Sequence, residues 1–234
     1  MKKPLVIALA VVGVVILAVG GAVAFWALND SADDEFQLSE TSGDNAVTTT
    51  APSESGAGAS GSTNWVIAEG SEAGYRIDEV LQGLNKTATG RTEDIEGSLV
   101  LDGSGVSEMT VTVQTGTLTS DESLRDTKVR ETYLQSDTFP TATFTLTDPI
   151  PLDADPAVGE PVSVEVDGRL ELHGVTKDVT VEIDAQLTAD DALEVIGSIP
   201  ITLADYDIEV PDVAGIVKAA PQGLLEFKLA LTPA

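Results

Sequence analysis

The 234-residue chain carries 39 Asp+Glu against 12 Lys+Arg, a formal net charge of -27. That balance excludes nucleic-acid binding, whose affinity rests on basic groups meeting phosphates. There is no cysteine, so disulfides, thiolate nucleophiles, Cys-ligated metals and lipoprotein anchoring are excluded together.

The chain begins "MKKPLVIALAVVGVVILAVGGAVAFWALND", with Lys2 and Lys3 followed by an uncharged apolar run from Leu5 to Leu28. At about 1.5 Å of rise per residue the run makes a helix roughly 36 Å long, enough to cross a hydrocarbon core of about 30 Å. Trp26 sits where an interfacial aromatic belongs. The lysines place the start of the chain in the cytoplasm and everything after Asn29 outside. Residues 1–28 are therefore expected to be a single-pass anchor in the cell membrane. Ala22-Val23-Ala24 also fits a signal-peptide cleavage site, which would release a secreted chain beginning at Phe25. The apolar run exceeds the usual signal core of about 7–15 residues, which favours the anchor.

Residues 29–63 are rich in Ser, Thr, Gly, Ala and acids, with Phe36, Leu38 and Val47 as the only larger apolar residues. Such a composition cannot bury enough surface to offset its ordering entropy, so a disordered linker is expected. As a coil its ends would lie roughly 30–35 Å apart, tethering the following domain near the membrane.

From about Asn64 the pattern changes to period two, the signature of half-buried strands. One strand lies near Trp65 and another over Tyr75–Asp78. Ile95, Leu99 and Leu101 then alternate with polar residues, as do Met109, Val111 and Val113, and Ala142, Phe144 and Leu146. In "VSVEVDGRLELH" Val162, Val164, Val166, Leu170 and Leu172 share one face, and His173 falls on the other. Val179, Val181 and Ile183 continue the scheme, followed by "LEVIGSIPITL" and by Leu225, Phe227, Leu229 and Leu231. Eight or nine antiparallel strands are expected over residues 64–234. Between Ser120 and Pro140 the alternation lapses. Ser120 is a capping residue, Asp121 and Glu122 suit a first helical turn, and Leu124, Val129 and Tyr133 could share a helical face, which predicts a short helical insertion.

Each strand has one apolar and one polar face. A sheet closed on itself, apolar within and acidic without, satisfies this; a two-sheet sandwich fits nearly as well on pattern alone. The inward set is mostly Val, Leu and Ile and aromatics are 4% of the chain. An eight-stranded barrel filled by such side chains has room for an apolar cavity, although tight packing is the commoner outcome.

Three stretches resemble the YceI-like family together: "AGYRIDEVLQGLNKTATGRTEDIEGSLVLDG", "SLRDTKVRETYLQSDTFPTATFTLT" and "VDGRLELHGVTKDVTVEI". The resemblance covers nearly all of residues 64–234. It implies an all-β, eight-stranded, antiparallel, lipocalin-like barrel with a long apolar channel for a polyisoprenoid or related lipid, and no catalysis as a family trait. The chain departs from many members in carrying no histidine in "IDEVLQG" or "RDTKVRETYL", so its headgroup end is expected to differ.

On that reading Tyr75, Val111, Phe144, Leu170, Val181 and Phe227 are the channel candidates, each equally suited to a core that touches only protein. Arg91, Arg125 and Lys177 are headgroup candidates, able to meet a lipid phosphate by charge-assisted hydrogen bonds. The competing role for Arg125 is to pin the helical insertion by local ion pairs. His173 is kept only as a headgroup contact at the barrel mouth, on a recurrent turn. The acidic loops around Asp148, Asp153 and Asp155 lack a calcium-loop register, and no metal or cofactor is expected. With no cysteine, one histidine and no catalytic motif, an enzyme ranks last. The expected function is non-enzymatic binding or carriage of a polyisoprenoid or similar amphiphile outside the cytoplasmic membrane. The alternative is a structural or interaction protein whose barrel core is filled; no protein partner is identified.

Overall fold

The computed structural model describes residues 33–39, 62–102, 105–151, 158–188, 192–213 and 216–234. The expected membrane-spanning helix and most of the expected linker lie outside these residues. Among the described residues no helix is long and apolar enough to cross a membrane.

The first half of the domain supplies β1 (Thr63–Ile67), β2 (Glu72–Leu81), β3 (Leu84–Thr92), β4 (Ile95–Asp102) and β5 (Gly105–Gln114). The insertion follows as α1 (Ser123–Lys128), and then come β6 (Thr141–Leu146) and β7 (Ile150–Pro151). The second half supplies β8 (Val162–Leu172), β9 (Val175–Leu187), β10 (Leu193–Thr202), β11 (Asp212–Val213), β12 (Val217–Ala219) and β13 (Gln222–Pro233).

Pairing runs β1-β4-β5-β6-β8-β9-β10-β13, all antiparallel, and β13 returns to β1. The sheet is thus a closed eight-stranded barrel, which removes every free edge from the ring. β1 and β2 behave as one bent strand along β13: Trp65–Ile67 pair with its end and Glu72–Arg76 with its beginning. β3 pairs with β2 as β4 pairs with β1. Near Thr92, however, β3 leaves β4's path beside β5, and Arg91 exchanges backbone hydrogen bonds with Thr119 (2.8 and 3.0 Å). Residues 115–134 therefore fill the gap in the wall at this, the helical end of the barrel.

The insertion is shorter and differently capped than Ser120 suggested. Glu122 is the cap, its side chain accepting from the Leu124 amide. Ser120 instead donates through its amide and hydroxyl to Asp126 Oδ1 (2.8 and 2.6 Å). After α1 the helix widens into one π turn, in which the Leu134 amide reaches the Val129 carbonyl at 2.8 Å. Leu124 points away and is 75% exposed; the packed face is Val129, Tyr133 and Leu134.

Among the described residues, two hairpins use two-residue loops with both residues left-handed: Gln82-Gly83 (φ 49 and 84) and His173-Gly174 (φ 52 and 75). Their twist matches that of the flanking strands, which is why such loops carry glycine. β9 consequently starts at Val175, directly after Gly174.

Inside the span read as a linker, residues 33–39 lie extended on the outside of the barrel. They end on Glu194, whose carboxylate accepts from the Ser39 amide and hydroxyl (2.8 and 2.8 Å). Desolvation pushes the Glu194 carboxyl up. Hydrogen bonds from Lys228, the Ser39 amide, Gln186 and the Ser39 hydroxyl outweigh it and bring the carboxyl from 4.5 down to about 2. A depressed carboxylate contributes stability that is present above its unfolded pKa and lost as pH falls through the folded value. The unfolding midpoint should therefore drop as pH falls from 4.5 to about 2, and Glu194→Gln should lessen the drop. An identical acid profile in the variant would remove Glu194 from the response.

Candidate functional site

Inward side chains fill one end of the barrel and leave the other hollow. At the end away from α1, Leu99, Ile150, Val195 and Leu231 pack with Trp65, Leu101, Val106 and Val164 into a solid core. At the helical end there is an apolar cavity of about 200 Å³, walled by β2, β5, β6, β8, β9, β10 and β13. Val129, Tyr133 and Leu134 of the insertion line it, as do Ile208 and Pro211 from the segment after β10. Leu99, Ile150, Val195, Leu231 and Trp65 are not on the wall of this chamber.

All six channel candidates, Tyr75, Val111, Phe144, Leu170, Val181 and Phe227, are on the wall of this cavity. Three of them share a device. Tyr75 lies over Gly90, Phe144 over Gly168 and Phe227 over Gly197. A Cβ built on those glycines would stand 2.4, 2.3 and 2.6 Å from the respective ring carbons. Glycine on the neighbouring strand lets each ring fold flat against the sheet instead of projecting into the lumen. The cavity survives because its largest side chains are stored on its walls.

The four headgroup candidates are not on the cavity wall. Arg91 faces outward: its Nη2 donates to Glu226 Oε1 at 2.9 Å, and its guanidinium lies 4.0 Å from the Phe36 ring centroid. Arg125 is held by Asp121 one turn earlier and by Glu79 of β2 at 3.7 Å, the pinning role. Lys177 is half-exposed, 3.5 Å from Asp205. His173 corrects the expectation most sharply. It is buried, not on the outer polar face, because its left-handed backbone turns the side chain off the strand's alternation. Its Nδ1 is 2.9 Å from the Tyr206 carbonyl, which only accepts, so Nδ1 carries the proton. Its ring meets Phe139 edge-on, 4.6 Å between centroids. The imidazole ties the β8–β9 hairpin to the segments that cover the helical end.

One polar cluster does adjoin the cavity, and alternation did not single it out. Glu79 is an inward, buried carboxylate on β2, two residues beyond Ile77 and four beyond Tyr75. Burial pushes the Tyr75 phenol up to about 12. Arg125 pulls it down, while Asp126, Glu79 and Asp121 reinforce the rise. The hydroxyl therefore remains protonated at any working pH and is available as a donor beside the cavity. Thr115, a second hydroxyl on the wall beside those of Tyr75 and Tyr133, is engaged by Ser136 and by the Phe139 and Pro140 carbonyls at 3.0 Å each. Among the described residues no group of three or more His, Asp or Glu is placed to hold a metal.

The family model described as the YceI-like domain matches residues 65–231. Among solved structures, the chain is similar to a polyisoprenoid binding domain from Saccharophagus degradans implicated in plant cell wall breakdown. The identity is 20%, the TM-score 0.57, and the match covers 74% of this chain and 99% of that one. It is also similar to BcnA from Burkholderia cenocepacia, with 17% identity and a TM-score of 0.52, over 68% of this chain and 96% of that one. Among curated proteins none matches the chain by sequence.

Proposed function

The chain belongs to the YceI-like domain family, and from that premise we propose that its barrel binds a polyisoprenoid or similar amphiphilic lipid without transforming it. The observation that carries this reading is the hollow helical end: an apolar chamber of about 200 Å³ in a barrel whose other end is packed solid. The apolar tail enters the chamber between Val111, Phe144, Leu170, Val181 and Phe227. The polar end of the lipid faces the Tyr75–Glu79–Arg125 cluster, with the Tyr75 hydroxyl as donor. Burying an isoprene unit contributes about 4 kcal/mol, at about 0.8 kcal/mol per methylene-sized group, before ordering costs are deducted. Binding is therefore driven by the tail, and a chamber of this size selects for what its first few units look like.

The anchor reading of residues 1–28 places the barrel outside the cytoplasmic membrane, within reach of membrane lipid. The single histidine supports the non-enzymatic reading, since it is buried and committed to a backbone carbonyl.

The test is to purify the full chain in mild detergent and release its contents for mass spectrometry. A long-chain isoprenoid or similar single-tailed amphiphile is expected, and an emptied sample should take up added polyprenyl phosphate. A chain that releases no lipid and ignores the added one sinks the proposal and leaves the alternative of a structural or interaction barrel.

A further inference from the structure

The outer face of β3, β2, β13, β10 and β9 carries an arrangement that a freely solvated barrel surface does not need. Thr89, Gln186, Glu194 and Glu226 point outward there, yet all four are buried, at 3–5% exposure. Elsewhere outward positions such as Glu165, Asp167 and Glu171 are exposed. The cover is residues 33–39, "DDEFQLS".

Each strand in turn holds this segment. On β3, Thr89 Oγ1 accepts from the Asp33 amide at 3.0 Å and donates to Asp33 Oδ2 at 3.1 Å. Arg76 of β2 donates to the Asp33 carbonyl at 2.7 Å, and Arg91 of β3 to the Asp34 carbonyl. Lys228 of β13 reaches the Gln37 carbonyl at 3.4 Å. Glu194 of β10 takes the Ser39 amide and hydroxyl, and Gln186 of β9 donates to the Ser39 carbonyl at 2.9 Å.

The lengths agree. Crossing four inter-strand gaps at about 4.8 Å is about 19 Å, and six residue steps at about 3.3 Å span about 20 Å. Phe36 and Leu38 are half-buried while their neighbours are exposed, so one face of an extended segment is turned down. A peptide lying across strands cannot join the ladder, so long outward side chains satisfy its backbone groups. Three of the chain's twelve basic residues converge on a segment carrying three acids.

We propose that this face is a docking surface for the chain's own residues 33–39, which form a permanent strap and not part of a free linker. A consequence rests on the anchor reading above. Only residues 29–32 then separate the apolar run from the docked strap, a reach of at most about 18 Å from Leu28 to Asp33. The barrel is held against the bilayer on a short leash, where a free coil would allow roughly 30–35 Å.

The absence of cysteine allows a clean test in the full chain in nanodiscs. Alkylation of Leu38→Cys should be at least about tenfold slower than that of Leu124→Cys, at a position 75% exposed, and Phe36→Ala should abolish the difference. Equal rates at the two positions overturn the strap. Protection of Leu38→Cys that fades on dilution assigns the segment to a second copy and overturns it equally. N-terminal sequencing reads the anchor separately: a mature start at Phe25 removes the leash and leaves the labelling result standing.

Discussion

Gly197→Val is expected to leave the barrel folded and to weaken lipid binding by about a hundredfold or more, a loss of about 2.8 kcal/mol. A side chain at 197 meets Phe227 Cζ at 2.6 Å and, on the other side, the Glu182 carbonyl and Ile183 Cγ2 at 3.0 Å each. The backbone and β9 cannot yield easily, so the ring must. The space it can swing into is the cavity, which it would then occupy. Overpacking a well-filled core costs about 1–3 kcal/mol. Here the ring has somewhere to go, so the stability cost belongs at the lower end while the cost to binding is large. Titration with a fluorescent polyprenyl analogue reads affinity, and thermal unfolding reads the fold. Adding Phe227→Leu to Gly197→Val should restore much of the binding, because the displaced ring is gone. Wild-type affinity in the single variant would show that the ring on its glycine does not set the bore.

The cavity residues were legible because extended backbone makes side-chain direction a matter of parity. Val111, Phe144, Leu170, Val181 and Phe227 each sit in the middle of an unbroken alternating run, and the barrel preserves that parity through the sheet. Parity fails where the backbone leaves the extended region. His173 is one residue past the last extended position, and φ of 52 turns it inward. The surroundings of the charged candidates were not legible, for a different reason. A sequence displays cations but not their partners, and the partners are distant: Arg91 meets Glu226 across 135 residues and Arg125 meets Glu79 across 46. The strap left one trace, the i, i+2 pair Phe36 and Leu38 in a segment otherwise poor in apolar residues. Seven residues without a ladder do not read as a strand. The surface that holds them is assembled from β2, β3, β9, β10 and β13, so no local window contains it. The hollow end was the least legible feature, because the same aliphatic residues pack solid at one end of the barrel and leave space at the other.

Glu226→Ala is expected to cost about 3–5 kcal/mol, the range for removing one partner of a buried ion pair. The carboxylate sits in β13 and is gripped from two strands. Arg76 of β2 donates through Nε and Nη2 (2.9 and 3.3 Å) and Arg91 of β3 through Nη2 (2.9 Å). The two arginine side chains are 14 and 16% exposed. Removing the carboxylate leaves two largely desolvated cations side by side beneath the strap. At about 2–4 °C per kcal/mol for a domain of this size, the midpoint should fall on the order of 10 °C. Arg91→Ala should cost less, since Arg76 retains its two-point hold on Glu226. It should nevertheless free residues 33–39, because it also removes the Phe36 contact and the bond to the Asp34 carbonyl. The order of effects separates two roles for the cluster. If Glu226→Ala costs under about 1 kcal/mol, the pairs behave as solvated surface contacts and the strap alone explains their burial. If it costs the full amount, the triad fixes the register of β2 against β13 and of β3 against β2. The strap then docks on a surface already locked by the same two arginines that hold it.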